Sequence, residues 1–173
     1  MTRMIFVNLP VADLTVAMNF YSALGFENNP QFTDETAACM VWSEAIHVML
    51  LTHDKWRTFT DRPIPPSSSS EVMLALSFDS RDAVDAVNRA AADNGGTADI
   101  NPVQDLGFMY NRNLADPDGH VWEMMWMDMA ANFELDGSQV RLIRINVETD
   151  GASTRLVGDV DMRDLSEMTY ELE

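Results

Sequence analysis

Two periodicities alternate along this chain, and the alternation repeats. Residues 4–9 are an apolar strand pattern that Pro10 is expected to end, and Asp13 stands at an N-cap position. Leu14, Ala17, Met18, Tyr21 and Leu24 then fall at helical spacing, and Gly25 sits where a left-handed C-terminal cap is wanted. Three strand patterns follow over residues 27–33, 36–42 and 46–52, each bounded by turn formers or charged residues. The order is β-α-β-β-β. After a break it recurs. Residues 71–78 read as a strand. Asp79 or Ser80 can cap a helix reaching about Asn94, with Ala83, Val84, Val87, Ala90 and Ala91 inward. Gly95-Gly96 stops that helix, and strand patterns near residues 97–104, 108–114 and 120–126 complete the unit. A repeat of roughly seventy residues predicts an α+β fold of two pseudo-symmetric β-α-β-β-β modules. An α+β arrangement without pseudosymmetry is the alternative.

The break, residues 53–70, holds Pro63, Pro65, Pro66 and Ser67 to Ser70, and reads as a linker with one helical turn near residues 54–59. Modules 1–52 and 71–128 therefore form a domain over residues 1–128, followed by an acidic extension, 129–173. In the extension, residues 140–147 and 154–162 alternate like two strands of a hairpin turning at Asp150-Gly151. Its acidity and scarcity of aromatics fit a poorly ordered tail equally well.

The last strand of the second module carries the chemistry. Asp116 to Gly119 is a tight turn in which Pro117 presets φ and Gly119 accepts unusual angles. Beyond it, Val121, Glu123 and Met125 share one strand face, and Trp122, Met124 and Trp126 the other. A carboxylate amid apolar side chains is costly unless a metal, a cation, a hydrogen-bond donor or a proton answers it.

Composition narrows the classes. The net charge of −17 argues against nucleic acid and anionic membrane surfaces, so neither is an expected partner. Lys55 is the only lysine. The acidity reads either as adaptation to salt or as an ordinary soluble acidic surface. No apolar run is long enough to span a bilayer, and the first residues lead straight into a strand pattern without the hydrophobic core of a signal peptide, so a cytoplasmic location is the default expectation. The single cysteine, Cys39, reads as a small buried hydrophobe.

The segments Asn8-Leu-Pro-Val-Ala-Asp-Leu14, Phe20-Tyr-Ser-Ala-Leu-Gly-Phe26 and Asp116-Pro-Asp-Gly-His-Val-Trp-Glu123 resemble the glyoxalase/bleomycin-resistance/extradiol-dioxygenase superfamily, the vicinal oxygen chelate fold, over about residues 3–128. The resemblance implies curved mixed sheets around a cup and, in many members, a homodimer. It also implies a divalent metal held by four side chains, from the first and last strands of each module, acting as a Lewis acid on vicinal oxygens. Glu123 matches the last of these positions. Phe6, with Asn8 two residues on, matches the first, and Leu50 and Met73 match the others. Phenylalanine and leucine offer no donor, and a thioether is a poor ligand for a hard ion. No metal or other cofactor is therefore expected.

With those positions apolar, Phe6, Asn8, Leu50, Met73 and Glu123 should line the cup, joined by Tyr110 and Arg112 if these point the same way. These side chains could also simply fill the barrel. Glu123 would be an acid or base if isolated, or an anchor for a polar or cationic group if Arg112 reached it. The expected function is binding of a small aromatic or amphipathic molecule. The alternative is a lyase or dioxygenase, either metal-dependent through an atypical ligand set or metal-free with Glu123 as catalytic acid/base. A third reading gives the extension a role in assembly.

Overall fold

The computed structural model describes residues 3–70 and 72–129 and, as strands, 132–136, 139–149 and 152–156. The first module runs β1 (Ile5–Val11), α1 (Leu14–Ala23), β2 (Glu27–Asn29), β3 (Ala37–Ser43) and β4 (Ile46–Thr52). A short helix, α2 (His53–Arg57), opens the linker, capped by the Thr52 side chain on the Lys55 amide. The second module runs β5 (Met73–Ser77), α3 (Arg81–Asp93), β6 (Thr97–Ala98), β7 (Gln104–Asp105), β8 (Met109–Ala115) and β9 (Val121–Met127).

The two modules share one topology. Their sheets are ordered β1-β4-β3-β2 and β5-β9-β8-β6, with β7 also pairing β8. In each, the first strand lies parallel to the last, and the remaining pairs are antiparallel. The fold is α+β with two mixed, unclosed sheets and internal pseudosymmetry, as the repeat predicts.

Both helices start on the predicted caps. The Asp13 side chain accepts from the Val16 amide at 3.0 Å, and that of Ser80 from the Ala83 amide at 3.1 Å. α1 buries Ala17, Phe20 and Tyr21, and Gly25 follows at φ +101°. α3 buries Val84, Val87, Asn88 and Ala91. Asn88 is the polar member of that stripe, and its amide donates to the Asn113 carbonyl of β8 at 3.2 Å. The helix sides of both sheets close on one core that joins Leu9, Val48, Leu50, Phe20 and Tyr21 to Leu76, Val84, Leu114, Trp122 and Met124.

Three expected strands change shape. β1 continues through Pro10, which an edge strand tolerates because the missing N–H removes no ladder bond on the free side. β2 stops at Asn29, where Pro30 enters a 3-10 turn capped by the Asn29 side chain on the Gln31 amide. The strand expected over 97–104 becomes two short pieces, β6 and β7, with Asp99 at φ +51° and Pro102 between them.

In the extension, β10 (Asn132–Asp136), β11 (Gln139–Thr149) and β12 (Ala152–Leu156) form an antiparallel sheet in that order. β11 and β12 overlap the expected strands at residues 140–147 and 154–156, and β10 is an addition. The expected turn at Asp150-Gly151 and residues 157–162 lie outside the described residues. Among the described residues, no helix is long and apolar enough to cross a membrane.

Candidate ligand cup

The turn before β9 fixes everything after it. Asp116 Oδ1 accepts from the amides of Asp118 and His120 at 3.0 and 2.8 Å, and the Gly119 amide donates to the Asp116 carbonyl at 3.0 Å. Gly119 takes φ +94°, and the Ser67 carbonyl passes so close that a Cβ there would lie 2.5 Å from it. The turn also grips the end of β1: the Ala12 amide donates to Asp118 Oδ1 at 2.8 Å, and His120 Nε2 to the Pro10 carbonyl at 2.8 Å. Inside, the Tyr21 hydroxyl donates to Asp116 Oδ2 at 2.8 Å and accepts from Trp122 Nε1 at 3.0 Å. Burial pushes the Asp116 carboxyl up from its ordinary value, against the pull of His120 and these hydrogen bonds. Burial likewise raises the Tyr21 phenol, and the neighbouring Asp116 adds to it.

β9 then alternates as expected: Trp122 and Met124 are buried, and Glu123 is half-buried on the other face. The register pairs Glu123 with Ala75 of β5 and with Asn113 of β8. Asn113 Nδ2 donates to Glu123 Oε1 at 3.1 Å, and Asn111 Nδ2 donates to the same oxygen at 3.3 Å. Asn111 is 8% exposed, and its Oδ1 is buried without a hydrogen-bond partner. On the matching face of the first module, Phe6 stacks on His47 with ring centroids 4.7 Å apart, and the register sets Asn8 beside Met49. Cys39 pairs with Met49 across the strands, its Sγ 4.0 Å from His47 Nδ1, and burial pushes its thiol up.

Three expected cup residues lie on the other side of their sheets. Leu50 pairs with Leu9 and is fully buried in the core, so the β4 residue beside Asn8 is Met49. Tyr110 and Arg112 pair with Trp126 and Met124, on the helix face. There both reach Asp85 of α3 at 2.8 Å, and Arg112 also binds Asp99. The long stem of Arg112 crosses apolar surface to put its guanidinium among these carboxylates, which is why an arginine can sit on a core-facing strand position. Its hydrogen bond holds the Asp85 carboxyl below the ordinary value. Of the two cases set out for Glu123, the one in which Arg112 reaches it is therefore excluded. Of the other expected residues, Phe6, Asn8, Met73 and Glu123 lie on the open faces, with Phe6 50% and Met73 54% exposed. Sequence reasoning missed Asn111, Asn113, His47 and Met49. The available signal was the alternation within β4 and β8, which needed the register to give it a sign.

The edge strands β1 and β5 border one cleft. A cleft of about 90 Å³ there is lined by Asn8, Pro10, Val72 and Leu74, with Trp56 and Ser69 of the linker over it. This is well below the roughly 300–1,000 Å³ of a drug-sized site, so the cleft suits only a small group. Among the described residues, no group of three or more His, Cys, Asp or Glu side chains comes close enough to hold a metal ion.

Solved structures with this arrangement share little sequence with the chain. A hypothetical protein from S. aureus is 24% identical, with TM-score 0.62, covering 73% of this chain and 95% of that one. A glyoxalase/bleomycin resistance protein/dioxygenase family enzyme from Burkholderia phytofirmans PsJN is 17% identical, with TM-score 0.61, covering 73% and 99%. A glyoxalase-related enzyme from Fulvimarina pelagi is 18% identical, with TM-score 0.62, covering 80% and 96%. No curated protein is significantly similar in sequence. The sequence model of the family described as Glyoxalase/Bleomycin resistance protein/Dioxygenase superfamily matches residues 3–124. With that match over both modules, the chain belongs to the glyoxalase/bleomycin resistance protein/dioxygenase superfamily.

Proposed function

We propose that this protein is a metal-independent member of its superfamily that binds a small aromatic or amphipathic molecule in an apolar cup. One observation carries the reading. The inner face of the paired first and last strands offers Phe6, Asn8, His47 and Met49 in one module and Met73, Ala75 and Glu123 in the other. That set holds one carboxylate, one amide, one imidazole stacked on Phe6, two thioethers and hydrocarbon. Among the described residues no three His, Cys, Asp or Glu side chains gather there, whereas a divalent ion takes several oxygen or imidazole ligands. Exposed Phe6 and Met73 supply apolar contact area, and the asparagine-held Glu123 supplies a fixed polar point. Both amides donate to Glu123, an arrangement that suits an acceptor anchoring a ligand better than an acid delivering a proton. The same exposed strand ends, with Met4, Ile5 and Val72 beside them, support assembly as a homodimer.

Metal analysis of protein purified without chelator tests the reading. Nickel, zinc, iron and manganese are expected well below one per chain. A stoichiometric metal that disappears in Glu123→Gln overturns it. In a thermal-shift screen of small aromatics, a true ligand at a hundred times its Kd adds roughly 2.7 kcal/mol of stability. Silence across a broad set counts against the cup.

A further inference from the structure

Glu123 is a half-buried carboxylate on an apolar strand face, between Val121 and Met125 and beside Ala75. Its two recorded partners are neutral amides, and both use Oε1, leaving Oε2 to other partners. No ion pair among the described residues includes it. The two arginines anchored to this sheet are engaged elsewhere. Arg112 holds Asp85 and Asp99, and Arg81 holds Asp105 and the Gly107 carbonyl while lying over the Tyr110 and Trp126 rings of the helix face. A second acceptor waits beside the carboxylate. Asn111 is more than nine-tenths buried, and turning its amide over to satisfy Oδ1 would set that oxygen against Glu123. The site therefore holds one carboxylate with no cationic partner among the described residues and one unanswered acceptor. A carboxylate in such surroundings gains most from a ligand that brings both positive charge and N–H groups.

We propose that the cup selects organic cations, with an ammonium or amidinium group seated on Glu123 beside Asn111 and an aryl or alkyl body lying over the methionine-rich face. This deepens the small-molecule reading above and rests on it. Anionic ligands are disfavoured by the same charge, and neutral analogues lose the charge-assisted bond while keeping the apolar contact.

Three probes of one shape separate the contributions: phenethylammonium, phenethyl alcohol and phenylacetate, titrated by calorimetry at physiological salt. The expected order is cation over alcohol by roughly tenfold or more, with the anion weakest. In Glu123→Gln the cation's advantage over the alcohol falls to about twofold or less. An advantage that survives Glu123→Gln belongs to the net acidity of the surface and overturns the inference. Equal binding of alcohol and cation by the native protein also overturns it, but leaves the cup reading standing. If none of the three binds, both fall together. Should Glu123→Gln not fold, the native protein still decides. Nuclear Overhauser contacts are expected from the ligand methylenes to the methyls of Val121 and Met125, and a bound cation that shows none refutes the placement.

Discussion

Leu50 and Met49 are chain neighbours on opposite sides of one sheet. Leu50 is fully buried between Leu9 and the helices, whereas Met49 faces the cup beside Asn8. Leu50→Ala is expected to cost about 2–5 kcal/mol in urea unfolding, because the core around it cannot collapse completely. Met49→Ala should cost less than about 1 kcal/mol and change ligand affinity instead. A reversed pattern would mean that the register is wrong. Asp85 carries a pH prediction. Arg112 lowers its pKa in the fold from 3.8, so the unfolded chain takes up the proton first. The stability this pairing supplies is complete above the unfolded value and disappears as pH falls through the folded one. Asp85→Asn is therefore expected to be less stable than the native chain by a constant margin near neutrality, and by a shrinking margin in acid below about pH 4. The face of Glu123 was legible in the sequence because it needs only alternation within one strand. The partners of Glu123 were not legible. Asn111 and Asn113 look like solvent-facing residues and Tyr110 and Arg112 like cup residues until the pairing of Asn113 with Glu123 reverses the assignment.

Elements were read most securely where local chemistry alone defines them. The caps Asp13 and Ser80 and the stop at Gly25 are each set by side-chain reach or backbone freedom over a few residues. The pieces that escaped, β2, β6 and β7, are short strands whose limits depend on Pro30, Asp99 and on which partner strand remains within reach. Two glycines distinguish backbone conformation from crowding. Gly95 has φ +91° and meets nothing nearer than Pro117 at 4.0 Å, so Gly95→Ala should cost only the left-handed conformation, about 1–2 kcal/mol. Gly119 has φ +94° and also faces the Ser67 backbone at 2.5 Å. Gly119→Ala is expected to lose at least about 1 kcal/mol more than Gly95→Ala in thermal or urea unfolding, and to loosen the linker over the turn. Equal losses would show that the contact with Ser67 yields easily.

At the scale of the molecule, the exposed apolar ends of β1 and β5 carry the assembly prediction. The intact chain is expected to have the mass of a dimer by light scattering, and removal of residues 129–173 should leave it dimeric. A monomer after truncation would move the contact into the extension. The two-module architecture was legible from the repeat, because two matching orders of strand and helix are visible without any contact information. Side-chain bridges between the modules were not, since nothing local announces that Tyr21 and Asp116 will meet. That meeting has a consequence for how alike the halves can be. Tyr21, contributed by the first, is satisfied by an acid and an indole contributed by the second. A tandem of two first halves would orphan the phenol, and a tandem of two second halves would leave the acid facing no hydroxyl. Behind its near-symmetric outline the chain is a heterodimer written in one strand of peptide, and neither half can substitute for the other.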